Sequence, residues 1–261
     1  MATTVSKDGT HIGYEKSGKG PALIIVDGAM CNRTFGPSKP LAKLLSDRFT
    51  VYIYDRRGRN ESGDTKPYAV ERELEDLQAV MNEAGGQAGL IGFSSGASLV
   101  LEAAAGGINA SKVLAYEPPY MVSNEGHQSP TDSQEQLTKL IAEDKRGAAL
   151  KFFMHDMVGL PSLMVAIFSL TPVWSKLKKV AHTLPYDAAV LRNFKLPAEE
   201  FSAIKVPAWI GAGAKTQIRL RRAAEAVEKT IPGARLHIIP GQDHNIKPAA
   251  IAPEIIKFFN S

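Results

Sequence analysis

Ser94 and His244 are the residues of this chain best placed to do chemistry together. Ser94 lies in Gly92-Phe93-Ser94-Ser95-Gly96, a G-x-S-x-G between the apolar run "AGLIGF" and the helix-like run "ASLVLEAAAGG". A sharp strand-to-helix turn of this kind holds its central serine in a strained backbone conformation, and small residues are needed where the backbone passes close on either side. The serine would project above a sheet edge, at the N-terminus of a helix whose unpaired N–H groups favour developing negative charge. Such a hydroxyl needs a base at neutral pH, usually a histidine within hydrogen-bond reach. Of six histidines, His244 in "IIPGQDHNIKP" is best placed, past the last strand-like run and before the C-terminal helix, in a loop that returns to the same sheet edge. His11 falls in an N-terminal hairpin, His237 inside a strand, and His127, His155 and His182 in a helical segment.

The elements that must position these residues are legible as an alternation. "ALIIVDGA", "FTVYIYDRRG", "AGLIGFSSG", "KVLAYEPP", "PAWIGAG" and "ARLHIIPG" are apolar runs ending in Gly, Pro or Asp, the pattern of buried parallel strands. Between them, "KPLAKLLSDR", "AVERELEDLQAVMNEAG", "ASLVLEAAAGG", "LRRAAEAVEKTIPG" and "PEIIKFFN" place apolar residues at helical spacing. The order predicts a mostly parallel, doubly wound α/β sheet, with a hairpin around Asp8-Gly9 before it. From about Tyr120 to Ile204 no strand is evident, and the segment reads as a helical insertion. The expected division is a core of residues 1–119 and 205–261 with a helical cap over 120–204. Phe152, Phe153, Met157, Met164, Phe168 and Trp174 either form the packing core of that cap or partly line a pocket over the sheet edge.

In this order the motifs resemble the α/β-hydrolase superfamily, over nearly the whole chain. "PALIIVDGAM" is similar to its strand and oxyanion loop, "YDRRGRNESG" to its D-x-R-G turn, "GFSSGA" to its nucleophile elbow and "PGQDH" to its histidine loop. The resemblance implies an oxyanion hole formed by the N–H groups of Ser95 and Ala29, and a chain order of Ser, acid, His. Asp27 stands where the superfamily usually has His. A carboxylate near an oxyanion would oppose the chemistry, so its side chain is expected to turn away and pair with Arg56 or Arg57.

The superfamily usually places its acid after the strand "VPAWIG", but the loop there, "GAGAKTQI", contains no carboxylate. Glu199 and Glu200 precede the strand, and Glu225 and Glu228 fall inside the next helix. A candidate lies one strand earlier: Glu117 in "KVLAYEPPY", 23 positions beyond Ser94. Some haloalkane dehalogenases of the superfamily carry their acid after that same strand. Pro118 is expected to hold Glu117 extended. Asp187 and Asp243 are rivals, although Asp243 adjoins His244 in the chain, which normally points the two side chains apart.

The resemblance implies a serine hydrolase that cleaves a small apolar carboxylic ester or lactone through Ser94, His244 and Glu117. Dehalogenation and epoxide hydrolysis in this fold require an Asp nucleophile, which Ser94 replaces. Carbon–carbon bond hydrolysis also uses serine and stays open. A binding or sensor protein on the same scaffold, like the strigolactone and karrikin receptors, is the alternative that Asp27 and the acid-free loop motivate.

Composition narrows the classes. Hydrophobic residues make up 44% of the 261 and charged residues 22%, and the net charge of +4 comes from Lys and Arg scattered among acids rather than gathered on one face. No nucleic-acid footprint follows. Cys31 is the only cysteine, which excludes an internal disulfide and a Cys-based metal cluster. No metal or cofactor is expected. The N-terminal stretch lacks the basic start and apolar core of a secretory signal, and no apolar run is long enough for a membrane span, so a cytoplasmic protein without a membrane partner is expected.

Overall fold

The computed structural model describes residues 2–260. Eight strands, β1 (Ala2–Val5), β2 (His11–Ser17), β3 (Ala22–Val26), β4 (Thr50–Tyr54), β5 (Ala88–Phe93), β6 (Ala110–Tyr116), β7 (Ala208–Gly213) and β8 (Arg235–Ile239), form one sheet in the order β1-β2-β4-β3-β5-β6-β7-β8. β1 and β2 form the expected hairpin and β2 pairs antiparallel with β4; every later pairing is parallel.

The continuous apolar runs of the parallel strands follow from burial on both faces. Ile24, Val26, Leu90, Val113, Ala115 and Ile210 point to one face. There they meet α2 (Val70–Glu83), α3 (Ser95–Ala105) and α10 (Ile218–Thr230). Leu23, Ile25, Ile91, Leu114 and Trp209 point to the other, against α1 (Ser38–Leu45) and α11 (Pro248–Asn260). The last helix begins earlier than the run "PEIIKFFN" suggests, and Pro253 lies inside it.

The chain leaves β3 for β4 on one side and returns to β5 on the other, so the ends of β3 and β5 diverge at a topological switch point. Open α/β sheets bind ligands in the crevice outside such strand ends. The loops after β3 and β5 carry Ala29 and Ser94.

Between β6 and β7 the described residues form no strand. They form α4 (Ser133–Ala142), α5 (Arg146–Phe152), α6 (Ser162–Phe168), α7 (Pro172–Val180), α8 (Leu184–Val190) and α9 (Ala198–Ser202), with a π-helical turn, Phe153–Met157, continuing α5. Leu137, Leu150, Met154, Trp174, Leu177 and Leu184 build a separate core here, and Ala29 and Met30 of the β3 loop pack against it. Of the aromatic and methionine stripe, Phe153, Met157 and Trp174 are buried, whereas Met164 is 56% exposed on α6, a short helix whose outer side carries Leu163, Ile167 and nearby Leu170. No described helix is long and apolar enough to cross a membrane.

Candidate active site

Ser94 follows β5 directly and precedes the first residue of α3, with φ 54° and ψ −122°. That conformation is costly for a residue with a Cβ, and it persists because its surroundings over-determine it. Its N–H donates to the Tyr116 carbonyl at 2.9 Å, and its own carbonyl accepts from the N–H of Ala97 at 2.8 Å. The flanking glycines are required by close approach: a Cβ on Gly92 would strike the Gly96 carbonyl, and one on Gly96 would strike the Val26 carbonyl.

Ser94, Ser95, Ala29 and His244 line one cavity of about 370 Å³, near the lower end of the size range of small-molecule sites. Its outer wall comes from the helical segment, through Phe153, Met157 and Leu160. Phe153 and Met157 therefore serve both as packing core and as cavity wall.

Glu117 is fully buried, and its Oε2 lies 2.7 Å from His244 Nδ1. The acid-free loop after β7 serves this carboxylate as a set of donors: Gly213 N–H donates to Oε1 at 2.8 Å, and Thr216 Oγ1 donates to Oε2 at 3.0 Å. Glu117 N–H continues the sheet by donating to the Gly211 carbonyl at 2.9 Å. The expected extended backbone is not found. Glu117 has φ 50°, in the left-handed region, and these polar contacts hold it there despite the proline that follows. The histidine loop is fixed separately, by Tyr116 OH donating to the Asp243 carbonyl at 2.8 Å.

The rival acids are engaged elsewhere. Asp243 is exposed, and its Oδ1 accepts from the Asn245 N–H. Asp187, on α8, is fully buried and accepts from Arg59 Nη2 at 2.9 and 2.8 Å, Arg56 Nη1 at 2.7 Å and Ser95 Oγ at 2.7 Å. Burial alone would push its carboxyl up, but the charges of Arg59 and Arg56 and the Ser95 hydrogen bond hold it below the usual carboxylate range. Arg59 also donates to the Gly28 carbonyl at 2.7 Å and to the Cys31 carbonyl at 3.2 Å. One aspartate from the helical segment thus ties the residue after Ser94 to the loop that carries Ala29.

Asp27 corrects an expectation. Its side chain pairs with neither Arg56 nor Arg57, which are taken by Glu73 and Asp187 and by Asp76 and Asp8 respectively. It accepts instead from Ser38 Oγ, at the start of α1, at 2.6 Å, while Oδ1 is buried with no partner among the described residues. Burial pushes its carboxyl up to about 7, against the opposing effect of the Ser38 hydrogen bond. Cys31 lies half-buried nearby, and the same desolvation raises its thiol to about 12, which argues against a nucleophilic role. Among the described residues no cluster of His, Cys, Asp and Glu could hold a metal ion.

Three features escaped the sequence: the donors at Gly213 and Thr216, the Asp187 hub and the buried Arg219 in the cavity wall. The acid-free loop was the signal for the first. The others required the fold, since each joins residues far apart in the chain.

The fold and site define a hydrolase class. The alpha/beta hydrolase family profile matches residues 28–254, and this chain belongs to that family. It is similar to the crystal structure of an alpha/beta hydrolase from Sphaerobacter thermophilus DSM 20745, at 44% identity over 99% of this chain and 100% of that one, with a TM-score of 0.93. An esterase from Exiguobacterium antarcticum shares the fold at 19% identity, over 100% of this chain and 99% of that one, with a TM-score of 0.77. A zearalenone hydrolase from Cladophialophora bantiana is 24% identical over 257 residues, covering 92% of this chain and 88% of that protein.

Proposed function

We propose that this hydrolase cleaves a small carboxylic ester or lactone through Ser94, His244 and Glu117 and a covalent acyl-enzyme. The observation that carries the reading is the 2.7 Å contact between Glu117 and His244 Nδ1, in a histidine that shares one cavity with the elbow serine. Nδ1–H donated to Glu117 leaves Nε2 free to take the Ser94 proton as Oγ attacks the substrate carbonyl. Negative charge then develops on the carbonyl oxygen, where the N–H groups of Ser95 and Ala29 would receive it, each worth about 3 kcal/mol of barrier. The imidazolium returns its proton to the leaving alcohol. Water, activated by the same nitrogen, releases the acid and restores Ser94.

Residues 120–204 act in this reading as a cap whose apolar wall keeps bulk water from the acyl-enzyme. Both motives for a binding-only protein weaken: the loop after β7 supports Glu117 rather than lacking a function, and Asp27 is turned to Ser38. A fluorophosphonate probe and a panel of p-nitrophenyl esters and simple lactones test the reading. Labelling at Ser94 and turnover abolished by Ser94→Ala are expected; folded protein that neither labels nor turns over any panel member would refute it.

A further inference from the structure

Five arginines are buried among the described residues. Four answer to carboxylates: Arg33 to Asp55, Arg56 to Glu73 and Asp187, Arg57 to Asp76, and Arg59 to Asp187. Arg219 is the exception. It is 6% exposed, and among the described residues no carboxylate forms an ion pair with it. Its Nη2 donates to the Val158 carbonyl at 3.1 Å and its Nε to Gln217 Oε1 at 3.1 Å, while Nη1 is buried with no partner among the described residues.

The position compounds the cost. Arg219 is the second residue of α10, where the helix dipole already places positive charge. Burial lowers its guanidinium from the usual value, and the more distant charge of Glu117 opposes this only in part. Anchoring the Val158 carbonyl needs a donor, not a charge, so a neutral amide would do that work without the desolvation of an ion. What distinguishes the site is that Arg219 lines the same cavity as Ser94 and His244, with Lys215 also on its wall.

We propose that Arg219 is an anion-binding residue of this cavity, and that the substrate is an ester or lactone with an apolar body and a free carboxylate that pairs with it. The substrate part rests on the serine-hydrolase reading above; the anion site itself does not. The apolar wall of Phe153, Met157 and Leu160 strengthens such a pair by excluding water. A guanidinium with an unused N–H group is suited to a carboxylate, which offers two acceptor oxygens.

The test compares p-nitrophenyl monoesters of succinate, glutarate and adipate with their carboxamide isosteres, in wild type, Arg219→Gln and Arg219→Lys. Wild type should favour at least one acid over its amide by about tenfold or more in kcat/KM, chiefly through KM. Arg219→Gln should abolish that ratio, and Arg219→Lys should restore part of it. A wild-type ratio near one for the whole series overturns the proposal. So does a parallel loss on acid and amide in Arg219→Gln with the ratio intact, the mark of a structural anchor for Val158. Calorimetry on Ser94→Ala with the monomethyl esters of the same diacids and their amide isosteres separates the two readings. Carboxylate-selective binding that depends on Arg219, in a protein whose wild type cleaves no ester, upholds the anion site and overturns the serine-hydrolase reading. No carboxylate selectivity in binding overturns the site.

Discussion

Glu117→Gln changes one atom in a fully buried group whose partners are known. The glutamine can keep its Oε1 acceptor for the Gly213 N–H, but the second position becomes an NH2 facing Thr216 Oγ1 and His244 Nδ1. Thr216 can reverse its hydroxyl and accept. The imidazole can satisfy the amide only by presenting an unprotonated Nδ1, which moves its proton to Nε2 and leaves no base towards Ser94. Wrong-tautomer substitutions of this kind lower turnover by about 10³ to 10⁴, or about 4 to 5.5 kcal/mol of barrier. The hydrogen-bond count is nearly conserved, so stability should change by no more than about 2 kcal/mol. The assay is kcat/KM on an activated ester across neutral pH, with urea unfolding on the same preparation. Turnover within tenfold of wild type, in protein of unchanged stability, would refute the assignment of Glu117 as the acid.

Three further outcomes follow from the same geometry. Asp187→Asn leaves Arg56 and Arg59 without their shared charge and should cost about 3 to 5 kcal/mol in urea unfolding, the penalty for breaking a buried ion pair; a loss below about 1 kcal/mol would contradict the role of Asp187 as a hub. Asp27, raised from 3.8 to about 7 in the folded state, stays protonated there while its unfolded counterpart ionises. Its contribution is therefore fully present below pH 3.8 and lost as pH rises to about 7, a swing of about 4 kcal/mol. The stability of Asp27→Asn relative to wild type should accordingly grow from pH 5 to pH 8, and a pH-independent difference would rule out the buried, neutral carboxyl. Tyr116→Phe removes the bond to the Asp243 carbonyl and should cost about 0.5 to 1.5 kcal/mol of stability. It should also reduce kcat several-fold, and a wild-type kcat would mean the histidine loop does not depend on this tie.

Much of this was legible because the signals were local. β3, β5 and β6 announce themselves as continuous apolar runs, since each is buried on both faces. The serine elbow is visible because close backbone approach demands glycine at Gly92 and Gly96 within five residues. The outcomes that sequence reasoning missed depend on partners distant in the chain. Asp27 was expected to find a nearby arginine, but Arg56 and Arg57 are taken by Glu73 and Asp76 on α2, and Ser38 arrives from α1. Nothing local in "IRLRRAA" sets Arg219 apart from the arginines beside it, and its contact with the Val158 carbonyl comes from docking of the segment after β6. The backbone of Glu117 was misjudged because the local preference imposed by Pro118 was the only term visible, and its tertiary hydrogen bonds outweigh it.

The position of Glu117 has a consequence for rigidity that an acid after β7 would not have. β5 and β6 are neighbours in register, with Phe93 opposite Tyr116, and the residues just beyond that pair are Ser94 and Glu117. Ser94 N–H donates to the Tyr116 carbonyl on β6, and Glu117 N–H donates to the Gly211 carbonyl on β7, so the proposed nucleophile and acid extend two neighbouring ladders of one sheet. The Tyr116 side chain meanwhile holds the carbonyl of the residue before His244. Three adjacent strand ends thus supply a serine, a carboxylate and the donors that hydrogen-bond to it, and only the histidine comes from a longer loop. Residues fixed by the central ladder keep their spacing when surface loops fluctuate. The loop after β7, which in the proposed mechanism need not carry the acid, leads directly into α10 and brings Arg219 to the cavity wall.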